Sequence, residues 1–180
     1  MIGVLVSGEG TNLQALLDAG LPVVAVASNE PGVGALERAE EAGVATGVFP
    51  LREYADREAR DAAMAAWLES HGVELVVCAG YMHLLRPAFL GRFPGRVVNV
   101  HPAPLPAFPG AHPLEDLLAA GAPEAAATVH YVDEGVDTGA VIASEPVSVL
   151  VGDTVESLRA RVHEAEHRLL TRVVRELCAR

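Results

Sequence analysis

Hydrophobic positions along this chain follow two patterns. Continuous apolar runs occupy Ile2–Val6, Val23–Ala27, Leu75–Ala79 and Val97–Val100, each ending beside Ser, Gly, Asn or His. Strands covered on both sides in a parallel sheet read this way, because neither face can carry polar side chains. Between them, Leu13–Leu17, Gly34–Ala42 and Glu58–Leu68 repeat apolar residues at three- and four-residue spacing, the period of an amphipathic helix. Strand alternating with helix predicts an α/β fold: a doubly wound, mostly parallel open sheet with helices on both faces. Thr128–Val132 alternates in the manner of a strand, and Ala140–Val149 contains another after an Asp-Thr-Gly turn; antiparallel pairing is open to these two. The chain closes with a long amphipathic helix. Asp153 is placed to cap it with Glu156 three residues on, and Val155, Leu158, Val162, Leu169, Val173 and Leu177 form one stripe.

No repeat, low-complexity tract or linker interrupts this order, so one domain over residues 1–180 is expected. The Pro-rich stretch Pro102–Pro113 is too apolar for a free linker and reads as a shaped loop near a site. Hydrophobic residues make up 51% of the chain, yet no run approaches the roughly 18 apolar residues of a membrane span. Aromatics are only 4%, so the core is expected to be built from small side chains. A formal charge of −11 argues against nucleic acid, whose phosphates need Lys and Arg, so any anionic ligand must be held locally. Cys78 and Cys178 give no disulfide framework and the start of the chain has no signal-peptide pattern, which together predict a reducing, cytoplasmic setting. Cys78 lies in an apolar run and reads as a buried hydrophobe, not a nucleophile. The expected partners are small-molecule substrates, with no nucleic acid and no membrane, for a monomer or homodimer. No metal is expected, because most of the histidines lack the companions of a zinc site; His163 and His167 read as an exposed helical pair.

Three segments carry candidate chemistry. Ser7-Gly8-Glu9-Gly10-Thr11-Asn12 lies between a strand and a helix, where glycines turn the backbone and helix N–H groups attract an anion. It departs from the dinucleotide fingerprint at Leu13 and lacks the Gly-Lys-Ser/Thr ending of a triphosphate loop, so a phosphate site and a bare tight turn both remain open. Asn99-Val100-His101-Pro102 ends a strand, and residues two apart point to one face. Asn99 can donate an N–H to an oxyanion and His101 can exchange a proton near neutral pH; the alternative is a pair of polar groups capping a loop. Asp133 to Gly139 reads first as a turn, with Asp133 and Glu134 solvated, but a carboxylate at Asp137 near the imidazole of His101 would favour the protonated ring and orient a reacting water.

The run Asn99 to Gly110, followed by Thr128-Val129-His130-Tyr131-Val132 and Asp137-Thr138-Gly139, resembles the phosphoribosylglycinamide formyltransferases, the GAR transformylases of the formyltetrahydrofolate-dependent group, over nearly the whole chain. The methionyl-tRNA formyltransferases and formyltetrahydrofolate deformylases share the Asn-x-His and Asp-x-Gly core but carry additional domains, so length favours the GAR enzymes. The resemblance implies formyl transfer from 10-formyltetrahydrofolate to the amine of glycinamide ribonucleotide in purine biosynthesis, with Asn99, His101 and Asp137 catalytic. It implies that Gly10, Thr11 and Asn12 hold the phosphate, and that His163 and Glu166 contact the sugar or glycinamide. Arg57, Met82, His83, Leu84, Leu85, Asn99, Asp133 and Asp137 would line the folate site. His83 replaces the Arg common in the family, and His163 a Gln. A water-using deformylase is the alternative enzyme, and a non-catalytic sensor of a phosphorylated metabolite the alternative class; release of formate without an amine acceptor selects the first, and binding without turnover the second.

Overall fold

Every apolar run read as a strand forms one in the computed structural model, which describes residues 1–179. The elements are β1 (Ile2–Val6), α1 (Thr11–Asp18), β2 (Val23–Ser28), α2 (Gly34–Glu41), β3 (Ala45–Val48), α3 (Arg57–Ser70), β4 (Leu75–Cys78), α4 (Pro87–Leu90), β5 (Val97–His101), α5 (Pro113–Ala119), β6 (Glu124–Tyr131), β7 (Val141–Ser148) and α6 (Val155–Cys178). The seven strands run in the order β3-β2-β1-β4-β5-β6-β7, the expected open α/β sheet. The chain divides into two compact units, residues 1–98 and residue 99 onward.

In the first unit β1 pairs in parallel with both β2 and β4, and β2 in parallel with β3. All five residues of β1 are buried, so both of its faces are covered. From β1 the chain steps outward to β2 and β3, then returns to the other side of β1 as β4. Such a reversal opens a crevice beyond the carboxyl ends of the two strands that flank it, here β1 and β4. The loops from Ser7 and from Ala79 leave the sheet at that point. β3 escaped the pattern because it is a short, half-exposed edge strand, and its Gly47 leaves no room for a side chain: a Cβ would lie 2.8 Å from the Phe49 ring and 3.0 Å from Trp67.

In the second unit β6 and β7 pair antiparallel from Glu124↔Ser148 onward, and α6 packs on both. Leu114 and Leu117 of α5 join Ala125, Leu158 and Val162 in one cluster. The Pro-rich loop is thus shorter than its sequence suggests, since Pro113 opens a helix, where its missing N–H costs nothing. The cap of α6 is Thr154, not Asp153: Thr154 Oγ accepts from the Ser157 N–H, and Ser157 Oγ accepts from the Thr154 N–H. Asp153 instead accepts from the Leu150 N–H at 2.7 Å and pairs with Arg161, which holds its carboxyl well below the usual carboxylate range. The predicted stripe faces the sheet, with Leu158, Val162, Leu169 and Val173 buried. Among the described residues no helix is long and apolar enough to cross a membrane. Leu158→Ala is expected to cost about 2 to 5 kcal/mol of stability, read as a lower urea midpoint, because the fully buried side chain leaves a cavity in that cluster.

Candidate active site

β5 delivers Asn99 and His101 to one face, as strand periodicity requires, and both meet Asp137. His101 Nδ1 lies 3.5 Å from Asp137 Oδ2. Asn99 Nδ2 donates to Asp137 Oδ1 at 3.4 Å. The Gly110 N–H donates to Asp137 Oδ2 at 2.9 Å, so the Pro-rich loop anchors the carboxylate. On the far side of the ring, His101 Nε2 donates to the Phe108 carbonyl at 2.8 Å. A carbonyl only accepts, so Nε2 carries a proton and Nδ1 is the nitrogen turned to Asp137. An ion pair forms when Nδ1 is protonated as well.

The fourth member is His130 on β6, 2% exposed, a residue of the Thr128–Val132 motif to which the sequence assigns no role. Its Nδ1 donates to the Tyr131 carbonyl at 2.8 Å, so in the neutral ring Nε2 is a lone pair. That lone pair accepts from Asn99 Nδ2 at 3.2 Å and sits 3.5 Å from Asp137 Oδ1. His130 and Asp137 together therefore turn the amide nitrogen of Asn99, not its oxygen, toward them. Both Asn99 bonds are at or beyond the long end of the usual 2.7–3.2 Å range, so its N–H groups are weakly committed. Burial by itself would raise Asp137; a hydrogen bond from the His130 ring when its Nε2 is protonated, the Gly110 N–H and the nearby His101 outweigh it and hold the carboxyl below its ordinary value.

Among the described residues, Phe108 (φ 55°) and Asp137 (φ 53°) are the only non-glycine residues with left-handed backbone. Such a conformation costs about 1 to 3 kcal/mol, less for Asp, and persists where surrounding structure imposes it. Here one aims a carbonyl at His101 and the other belongs to the carboxylate itself. Asp133 is an exposed turn residue that accepts from Thr138 Oγ1 at 2.6 Å and from the Gly135 N–H at 3.0 Å; the Thr138 bond holds its carboxyl low. It shapes the loop that delivers Asp137.

On α6, Glu166 is 3% exposed, so it is not a solvated helix charge. His163 Nε2 lies 3.8 Å from Glu166 Oε2. The rings of His163 and His167 stack at 6.4 Å and are half-buried, not the exposed pair expected, and burial pushes His167 down.

In the first unit, Gly10 precedes α1 with φ 79°, and a Cβ there would lie 2.6 Å from Ala35 Cβ and 2.7 Å from Ala35 Cα. Glycine is thus required both by the turn and by the approach of α2. The Gly8 and Glu9 carbonyls accept from the Ala35 N–H and from Arg38 Nε, and no side chain caps α1. Thr11 and Asn12 are its first two residues, and Arg57 is the exposed first residue of α3. Met82 and Leu84 are exposed, at 72% and 39%, whereas Leu85 is core. Cys78 is buried and its thiol is pushed up to about 12, which leaves it inert at neutral pH.

A buried imidazole, an amide with loosely held N–H groups and a carboxylate turned to both form a site suited to polarising a carbonyl, the requirement of acyl-group transfer. A family model described as formyl transferase matches residues 1–174. The chain belongs to the formyl transferase family, as its Asn99 to Gly110 segment suggested. It is 46% identical over 179 residues to a phosphoribosylglycinamide formyltransferase of Mycobacterium tuberculosis (strain ATCC 25618 / H37Rv), covering 97% of this chain and 83% of that one. It is 45% identical over 174 residues to the trifunctional purine biosynthetic protein adenosine-3 of Chironomus tentans, covering 92% of this chain but only 13% of that much longer protein. Its fold is similar to the crystal structure of glycinamide ribonucleotide transformylase 1 from Symbiobacterium toebii, with a TM-score of 0.95 and 46% identity over 97% of this chain and 85% of that one.

Proposed function

We propose that this chain, acting as one domain in the cytoplasm on small-molecule substrates, transfers a formyl group from 10-formyltetrahydrofolate to the amine of glycinamide ribonucleotide in purine biosynthesis. The observation that carries this is the convergence of Asn99, His101 and Asp137 with a second histidine, His130, behind them. The substrate amine attacks the formyl carbon, a carbon–nitrogen bond forms, and negative charge gathers on the formyl oxygen. Asn99 turns an N–H to that oxygen and protonated His101 stabilises it. As the tetrahedral carbon collapses, the bond to the folate nitrogen breaks; the amine proton leaves through a water held by Asp137, and the departing nitrogen is protonated with the help of His101. Met82 and Leu84 supply exposed apolar surface for a flat ring, with His83 between them, Leu85 in the core next to them in the chain and Arg57 at the start of α3. The uncapped start of α1, with Gly10, Thr11 and Asn12, suits the phosphate, while His163 and Glu166 bind the sugar or glycinamide.

Purified protein mixed with 10-formyltetrahydrofolate, with and without glycinamide ribonucleotide, tests the proposal by following folate deformylation and formylated product. Turnover that requires the ribonucleotide is expected. Formate release without it identifies a hydrolase, and no turnover in either mixture removes the catalytic reading. His101→Ala is expected to lower kcat about a hundred- to ten-thousand-fold with near-normal folding, checked by steady-state kinetics beside circular dichroism.

A further inference from the structure

Arg60 and Asp61 of α3 are buried with no exposed side-chain surface, although adjacent charged residues on a helix ordinarily face water. Arg60 Nε and Nη2 reach Asp61 Oδ1 at 2.7 and 2.6 Å. A buried ion pair costs desolvation that a hydrophobic pair avoids, so its presence calls for a purpose other than stability. The remaining atoms of the pair supply one. Asp61 Oδ2 accepts from the Arg86 N–H at 2.8 Å, and Arg60 Nη1 contacts His83 Nδ1 at 2.5 Å. A guanidinium only donates, so His83 Nδ1 must hold its lone pair and the ring proton resides on Nε2. A third pin comes from Ser7, the residue after β1: its Oγ accepts from the Met82 N–H at 3.0 Å while donating to Asn29 Oδ1 at 2.5 Å. The loop leaving β4 is thus fixed at Met82, His83 and Arg86, beside the β1–β4 crevice.

We propose that Arg60 and Asp61 are positioning residues that lock His83 as a neutral Nε2–H donor and clamp the backbone of residues 82–86, so that this segment offers one fixed donor between two exposed apolar side chains to a flat heterocycle with an acceptor edge. The identity of that heterocycle as the folate rests on the function proposed above; the locking does not. The charged and titratable groups around His83 are Arg60, Asp61 and Arg57 from α3, Glu30 beyond β2, and the Tyr81 ring at 5.9 Å. Burial, then Arg60 and Arg57, push His83 below its ordinary 6.5. The contact with Arg60 needs the neutral ring, so in the folded chain it is kept above the lowered value and lost as pH falls through it.

Long-range proton–nitrogen NMR of the histidine rings, with His83→Gln to assign the signal, tests the lock in the wild-type chain. The expected result is a pure Nε2–H tautomer titrating below 6.5. In Arg60→Met the two tautomers should mix, the midpoint should rise, and amide exchange of residues 82–86 should quicken at least about tenfold while β6 stays protected. Arg60→Lys, which keeps the charge and one donor, should restore part of the exchange protection. An Nδ1–H tautomer in the wild type overturns the proposal even if no variant folds, and so does a folded Arg60→Met with an unchanged tautomer and exchange rate. In the formyl-transfer assay Arg60→Met should raise KM for the folate about tenfold with kcat and the ribonucleotide KM nearly unchanged. A lock seen by NMR without this KM effect would uphold the positioning role and remove the folate from this segment.

Discussion

Asp137→Asn is expected to lower kcat about a hundred- to ten-thousand-fold, the range associated with loss of acid–base function, while the chain still folds. The substitution keeps the shape and removes the charge that faces His101 Nδ1 at 3.5 Å. It also breaks the hydrogen-bond logic of the site. Oδ2 must accept from Gly110 and Oδ1 from Asn99, but an amide has one acceptor atom. Whichever way the introduced amide turns, its NH2 meets another donor, either the loop backbone or Asn99. Steady-state kinetics beside a thermal melt check this; a wild-type kcat in a folded variant removes Asp137 from the chemistry. A second consequence concerns pH. Because the folded carboxyl of Asp137 lies below its ordinary 3.8, its contribution to stability is present above that value and is lost as pH falls through the lower one. The wild type should therefore lose stability below about pH 4 more steeply than Asp137→Asn does, as seen in urea midpoints measured across that window.

Asn99→Ala is expected to cost about 3 to 4 kcal/mol of transition-state stabilisation, a hundred- to thousand-fold in kcat, with little change in KM for either substrate. The amide nitrogen is pre-turned by His130 and Asp137, through bonds long enough to be surrendered as charge grows on the formyl oxygen. Removing the donor therefore touches the transition state more than the ground state. Because Asn99 and Asp137 share a hydrogen bond, the double variant should be far less than additive, and full additivity would show that the two act separately.

Much of this molecule is legible in its residues. β1, β2, β4 and β5 announce themselves as apolar runs because a strand covered on both faces has no position for a polar side chain. The stripe of α6 is read from its period, since burial against a sheet selects one helix face. Asn99 and His101 are paired by the two-residue repeat of a strand, and their order before Asp137 carried the family resemblance. Elements too short to show a period were not legible: β3 at the edge, the single turn of α4, and α5 behind Pro113. Asp153 and Thr154 are equally good caps on paper, and only the observed start of α6 separates them.

Local pattern therefore determined which segments are strands and helices, and which strand end bears polar residues, because apolar burial is periodic along the chain. Only the tertiary structure decided the partners of the polar groups. His130 lies 31 residues from Asn99, the Phe108 carbonyl reaches His101 by a left-handed turn, and Arg60 and Asp61 look like solvated helix charges until packing encloses them. A buried donor or acceptor must be satisfied, but nothing in sequence spacing says by whom; that choice belongs to atoms brought together from distant parts of the chain.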